Sequence, residues 1–182
     1  MKVILMAAIS LDGYIAQEKT QVSTAWTSAE DKALFREKSK EMGVVIMGST
    51  TFATVGQPLP DRLNIIYTRQ SKGELVAKYG LSEVQTGEEV LRVTQLSPTT
   101  LIKQLQAEGF KQVLVCGGSS IYTQFLQAGM INRLLITVEP VAFGSGIKLF
   151  AADEPFIKKF KLITTTKLND QGTLSLEYES KN

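Results

Sequence analysis

The sequence predicts one α/β domain spanning residues 1–182, with a central, mostly parallel sheet flanked by helices and an antiparallel hairpin at its C-terminal edge. Three observations carry that expectation. Short apolar runs bounded by turn residues recur as KVILMAA (2–8), VVIM (44–47), NIIYT (64–68) and QVLVC (112–116), the pattern of strands covered on both faces. Helical signals lie between them, so strand and helix alternate as in a parallel sheet. The C-terminal third changes character, with RLLITVEP (133–140) as a further buried strand and then FKLITTTKL and TLSLEYE on either side of NDQG, a turn-rich link.

Each element has its own local reason. The segment 28–42 begins at Thr27 or Ser28, either of which suits an N-cap, and stops at Gly43. The segment Pro98 to Glu108 has Ser97 as cap, proline at the first helical position and Gly109 after its end. In the last strand Leu174, Leu176 and Tyr178 alternate with Ser175, Glu177 and Glu179, which predicts one solvated face. Residues 69–97 are weakly patterned and read as surface loops, and no repeat or linker-like tract interrupts the chain.

Composition narrows the chemistry. The chain has 182 residues, is 43% hydrophobic and 21% charged, and carries a formal charge of +2, enough for one well-buried core. Its scattered lysines and arginines form no nucleic-acid footprint and no polybasic membrane patch, leaving a small molecule as the expected partner. With no histidine and a single cysteine, Cys116, histidine-based triads and zinc sites of His and Cys are excluded, and so is an intrachain disulfide. Acid chemistry falls to carboxylates, Tyr, Lys or water; no metal site is expected. The run VILMAAI (3–9) is a poor leader and too short to cross a membrane, so a buried first strand and a cytoplasmic location are expected.

Two strands end in small, hydroxyl-rich turns. In VLVCGGSSIYTQFL a buried strand runs into Gly117 and Gly118, followed by Ser119, Ser120 and a helix that carries Ile121 and Gln124. Glycine admits close approach by a ligand, and the free N–H groups of a helix start suit a phosphate, although a plain strand-to-helix turn has the same pattern. VVIMGSTTFATVG repeats the arrangement, with Gly48 before Ser49, Thr50 and Thr51. Such a pair at the carboxyl ends of strands suits a dinucleotide. The strand NIIYT leads to Thr68 and Arg69, a hydroxyl and a guanidinium able to meet one more phosphate, or a plain surface charge.

The stretch WTSAEDKALF (26–35) holds the least expected residue. Asp31 lies on the helical stripe of Leu34 and Phe35, so a carboxylate is aimed along the buried face. Two roles are open to it from this stretch: a first-turn residue that caps N–H groups, Glu30 or Asp31 closing a capping box, or a functional acid.

Taken in order, MAAISLDGYIA, WTSAEDKALF, VIMGSTTF, GQPLPDRLNIIYT and CGGSSIYTQFL resemble the dihydrofolate reductase superfamily over most of residues 3–137. SLDGYIA and GSGIKLF (144–150) resemble the reductase domain of the riboflavin-pathway deaminase-reductases and their stand-alone relatives. The spacing of Trp26, Asp31 and Phe35 matches that around the pterin-gripping acid of dihydrofolate reductases, and this makes Asp31 functional, with Trp26 beside it in the catalytic centre. The resemblance further implies a substrate site of Met6, Ala7, Phe35, Val55, Leu59, Arg62, Tyr122 and Thr137, with Arg62 matching the arginine that binds the glutamate tail. It implies an NADPH site in which Ala8 and Ile15 meet the nicotinamide, Thr51 the pyrophosphate region, and Gly117 and Gly118 are joined by a cis peptide. Gly48, Ser49, Thr50, Thr68, Arg69, Ser119, Ser120, Ile121, Tyr122 and Gln124 complete that cofactor site. Ser49 stands where many members have the arginine for the 2′-phosphate, so Arg69 is expected to take that role. The loop from Asp12 to Ala25 is expected to close over the nicotinamide. The implied activity is NADPH-dependent reduction of 7,8-dihydrofolate to tetrahydrofolate. Its rivals are reduction of the ribosylamino-pyrimidinone phosphate of riboflavin synthesis, and a silent nucleotide-binding module.

Overall fold

The computed structural model describes every residue except Ser23, Thr24, Asp153 and Asn182. In chain order the elements are β1 (Lys2–Ile9), β2 (Tyr14–Ala16), α1 (Ala29–Met42), β3 (Val44–Gly48), α2 (Ser49–Val55), β4 (Leu63–Tyr67), α3 (Lys72–Tyr79) and β5 (Leu91–Thr94). There follow α4 (Pro98–Ala107), β6 (Gln112–Gly117), α5 (Ser119–Gln127), β7 (Arg133–Val138), β8 (Ile147–Lys148), β9 (Phe160–Lys167) and β10 (Leu174–Ser180). One eight-stranded sheet runs in the order β5-β4-β3-β6-β1-β7-β10-β9. Its strands are parallel from β5 to β7, and β10 is antiparallel to both β7 and β9, as the sequence predicts. No helix among the described residues is long and apolar enough to cross a membrane.

The continuous apolar runs are explained by a core on each face of the sheet. Val3, Leu5 and Ala7 of β1 join one cluster with Val44, Ile46 and Phe125, while Ile4 and Met6 join the other with Val45, Met47 and Phe52. Alternate side chains of a strand point to opposite faces, so a strand covered twice must be apolar at every position.

Two expectations are corrected. Residues 69–97 are not mainly loop: they hold α3, a 3-10 turn at Glu83–Gln85, and β5, which pairs in parallel with β4. The signal was present, since Ser71 and Glu74 form a reciprocal capping box and Gly80 ends α3 in the left-handed region. The second correction concerns β10, where Ser175 is buried while Leu174 and Leu176 are only half-buried. β10 is an inner strand, with Ser175 opposite Thr137 of β7, so its small polar side chains face the interior. The exposed edge is β9, whose residues 161–167 all face solvent.

A two-stranded sheet absent from the sequence-based expectation pairs β2 with β8. It joins SLDGYIA to GSGIKLF, the two segments that carry the riboflavin-pathway resemblance. Asp12 reinforces the junction by accepting hydrogen bonds from the Ser10 hydroxyl (2.6 Å) and from the Gly144 (2.7 Å) and Phe143 (3.1 Å) N–H groups. These donors hold its carboxyl down at about 2, the Ser10 hydroxyl contributing most.

Candidate active site

The carboxyl ends of β1, β3, β4, β6 and β7 lie along one edge of the sheet, where open α/β sheets bind their ligands. The N-terminus of α1 delivers Asp31 to this edge, and Asp31 is 7% exposed. Its carboxyl is raised above the ordinary carboxylate range chiefly by burial, with the nearby charge of Glu139 adding to the rise. The Thr137 and Thr27 hydroxyls and Lys32 oppose the shift without cancelling it. The Thr137 hydroxyl sits beside the carboxylate but is fully buried without a protein partner of good hydrogen-bond geometry.

The helix cap settles one of the two roles open to Asp31. Ser28 is the N-cap, its hydroxyl accepting the Asp31 N–H at 3.2 Å, so the Asp31 backbone is capped and its side chain does no capping. In a capping box the residue at this third helical position would return a carboxylate to the N-cap N–H. Here the Ser28 N–H donates instead to Oε1 of Glu139 at 2.7 Å. Neither Glu30 nor Asp31 closes the box.

At the end of β6, Gly117 and Gly118 are joined by a cis peptide bond. Space is tight at both glycines: a Cβ on Gly118 would lie 3.1 Å from Thr51 Oγ1, and one on Gly117, whose φ is +127°, 3.3 Å from the Tyr122 hydroxyl. Thr51 therefore sits directly beside the glycine pair. Tyr122 is buried, donates to the Met6 carbonyl at 2.6 Å, and is held well above its usual range by that burial. Its hydroxyl proton is committed to the protein.

Phe35 and Leu59 pack half-buried against the core at this end, beside Cys116, whose thiol is pushed up to about 12 by burial. Val55, at the end of α2, is 39% exposed. Arg62 is buried; its Nε donates to the Pro60 carbonyl at 2.7 Å, and Nη1 donates to the Ser39 hydroxyl. It has no carboxylate partner within salt-bridge distance among the described residues, and burial lowers its pKa. Met6 and Ala7 are core residues whose side chains enter opposite clusters, Met6 that of Phe35 and Leu59. The Met6 carbonyl is already taken by Tyr122.

A second group of expected residues converges on a cleft of about 610 Å³ between the ends of β3, β4 and α5. Ser49, Thr68 and Arg69 line it from one side, and Ile121 and Gln124 from the other. Tyr67, missed by the sequence reading because it belongs to an apolar run, also lines it; its hydroxyl is buried without a partner and pushed up to about 12 by burial. Arg69 is exposed and has no carboxylate partner among the described residues. Ser119, at the start of α5, has a buried hydroxyl that is likewise unpartnered, while Thr50 and Ser120 are exposed near the same helix starts. Ala8 and Ile15 are half-buried, Ile15 against the core and held by the β2–β8 pairing. The loop from Asp12 to Ala25 is thus anchored over its first part, and Ser23 and Thr24 lie outside the described residues. Trp26 sets its ring edge-on against Phe143 at 4.9 Å between centroids, with its indole N–H buried and unpartnered.

Fold and site define the class: a reductase domain with the dihydrofolate-reductase-like fold. Residues 1–174 match the RibD C-terminal domain, and the chain belongs to that family. It is 27% identical over 175 residues, 94% of this chain and 90% of the other, to the uncharacterized protein YwjB of Bacillus subtilis. It is 26% identical over 138 residues to the dihydrofolate reductase of Buchnera aphidicola, covering 75% of this chain and 70% of that one. Among solved structures, a pyrimidine reductase-like protein from Corynebacterium diphtheriae shares the fold with a TM-score of 0.75 at 17% identity, over 100% of this chain and 92% of that one. The diaminohydroxyphosphoribosylaminopyrimidine deaminase/5-amino-6-(5-phosphoribosylamino)uracil reductase of Thermotoga maritima does so with a TM-score of 0.76 at 18% identity, over 99% of this chain and 56% of that one.

Glu139 was not singled out from the sequence. It follows a strand and looks like an ordinary surface acid, yet it is 3% exposed.

Proposed function

We propose that the protein is an NADPH-dependent reductase of 7,8-dihydrofolate, and the observation that carries this reading is the buried, uncapping carboxyl of Asp31, whose charge reaches Tyr122, the residue whose hydroxyl borders Gly117. The cleft chemistry fits the cofactor: it is lined by the exposed Arg69 together with Ser49, Thr68 and Tyr67, and the hydroxyls of Tyr67 and of Ser119 at the start of α5 are buried without a partner. Buried unpaired polar groups are costly in a folded chain unless a ligand meets them. Arg69, Ser49 and Thr68 would hold the adenosine phosphate, Ser119, Ser120 and Thr51 the pyrophosphate, and Ala8 and Ile15 the nicotinamide. When bound, NADPH supplies a hydride to a C=N bond of the substrate.

The chain's own residues orient and protonate. Asp31 accepts from the 2-amino group and N3–H of an aminopyrimidine ring, with Thr137 as the neighbouring hydroxyl, and in its protonated form it favours proton delivery to the ring nitrogen. Phe35 and Leu59 wall the ring apolarly, and the anchored loop excludes water. Arg62 meets the carboxylate of the glutamate tail through Nη2, since Nε and Nη1 are engaged within the protein.

A second reading has its own observation. The β2–β8 sheet and the Asp12 junction unite the segments that resemble the riboflavin-pathway reductases, so a ribosylamino-pyrimidinone phosphate is the rival substrate. NADPH oxidation, followed at the nicotinamide absorbance, separates the two. Turnover of dihydrofolate, with Arg62→Leu raising its KM by about tenfold and leaving a tail-less dihydropterin unchanged, supports the first reading; one remaining N–H pair accounts for that magnitude. Turnover of the pyrimidinone phosphate alone replaces it with the second.

A further inference from the structure

We propose that Glu139 is a positioning residue for Asp31: an ionised carboxylate that completes the cap of α1 in place of Asp31 and so releases the Asp31 side chain into the site. The hydrogen bonds on Glu139 assign its state. Oε1 accepts the Ser28 N–H at 2.7 Å, and Oε2 accepts the Thr173 hydroxyl at 2.7 Å. The Thr173 hydroxyl is in turn held by the Asn169 side-chain amide at 3.0 Å, whose N–H is thereby donated to it, so the hydroxyl proton is directed at Glu139. With donors on both oxygens, the carboxylate form is the one that fits. Asn169 Nδ2 also donates to Glu30 at 3.0 Å, and its Oδ1 accepts the Gly172 and Thr173 N–H groups, so the whole 169–173 turn backs the helix start.

Two consequences follow for Asp31. First, an N3 carboxylate in a helix with a serine N-cap ordinarily swings back to the N-cap N–H, and that donor is occupied here. Second, a fixed negative charge buried near Asp31 disfavours a second negative charge, because like charges in a poorly solvated site resist joint ionisation. The other groups facing Asp31 are Lys32 on its own helix, Thr27 before it, Thr137 on β7 and Tyr122 on α5. Among them Lys32 opposes the rise, and its effect is smaller than that of Glu139. Glu139 thus adds to the rise that burial gives the Asp31 carboxyl, while never touching the substrate.

This inference rests on Asp31 being the active-site acid, and the test separates its failure from the failure of that reading. Carbon-13 NMR of aspartate carboxyls reports the titration midpoint of Asp31 with no substrate present. Glu139→Gln keeps an acceptor for the Ser28 N–H and removes the charge, so the Asp31 midpoint should fall toward the ordinary range. The decline of kcat/KM with rising pH should then begin at lower pH, with activity below that range near that of the unaltered enzyme. Glu139→Ala removes the anchor as well and should lower kcat/KM by roughly 10²-fold at every pH, the scale of a misplaced catalytic group. Glu139→Met is a second route if Glu139→Gln folds poorly: it removes the charge with a side chain of similar length and should move the Asp31 midpoint in the same direction. An unmoved Asp31 midpoint in Glu139→Gln, or in Glu139→Met where only that variant folds, overturns the proposal even if the enzyme reduces dihydrofolate. A shifted midpoint without dihydrofolate turnover upholds it and sinks only the substrate assignment.

Discussion

Replacing Asp31 by Asn tests whether the acid serves catalysis or the helix. Ser28 already caps α1, so the amide variant loses nothing at the helix start, and an effect on the cap stays below about 1 kcal/mol. What it loses is the protonatable group in the site. A positioned acid contributes roughly 10²–10⁴-fold, equivalent to about 3–5 kcal/mol of transition-state stabilisation, and kcat/KM for dihydrofolate should fall by that factor. Stability should move the other way. The folded-state pKa of Asp31 is raised by burial, so its folded form binds the proton more tightly than the unfolded chain does. Its contribution to stability is fully present below the unfolded value and is lost as pH rises through the folded one. The amide of Asp31→Asn cannot ionise and escapes that loss. The variant should therefore melt at a higher temperature than the parent at neutral and alkaline pH, with the difference vanishing well below about pH 4, the unfolded range of an aspartate. Steady-state kinetics and thermal melts across pH supply both readouts. Near-normal turnover together with a lowered Tm at neutral pH would refute the reasoning, because that is the signature of a residue serving its helix.

Arg69→Ala should weaken NADPH binding by about 1.5–3 kcal/mol, the scale of a charge-assisted hydrogen bond, while NADH binding is nearly unchanged; titration calorimetry with both cofactors checks this, and equal losses would reject the role. Gly146→Ala places a methyl against the Ala16 carbonyl and 3.1 Å from Gln17 Cα, at a φ of +148°, so it should destabilise the protein by about 1–3 kcal/mol and speed hydrogen exchange across the β2–β8 pair. An unchanged Tm and unchanged exchange would show that this junction does not depend on backbone contact at Gly146.

Much of the molecule is legible in the residues themselves because it rests on local chemistry. The apolar runs, the Ser97-Pro98 start of α4, the Gly43 stop of α1 and the NDQG hairpin each follow from backbone preferences or from burial on two faces, and each is present in the structure. Asp31 and Phe35 share a helical stripe and the pair Gly117–Gly118 marks a strand-to-helix turn, so both could be found locally, whereas Trp26 stands out only through the family resemblance. The β2–β8 sheet, the burial of Ser175 and the commitment of Arg62 to Ser39 and Pro60 could not. Each depends on a partner far along the chain, and no local preference encodes which strand becomes an edge or which donor a guanidinium finds. Glu139 makes the division plainest: the sequence offers an acid after a strand, and only the packing of β7 against the start of α1 and the 169–173 turn makes it a buried charge. Sequence determined that this chain has an acid on the inward face of a helix; tertiary structure decided that a second acid, 108 positions later, leaves the first one free.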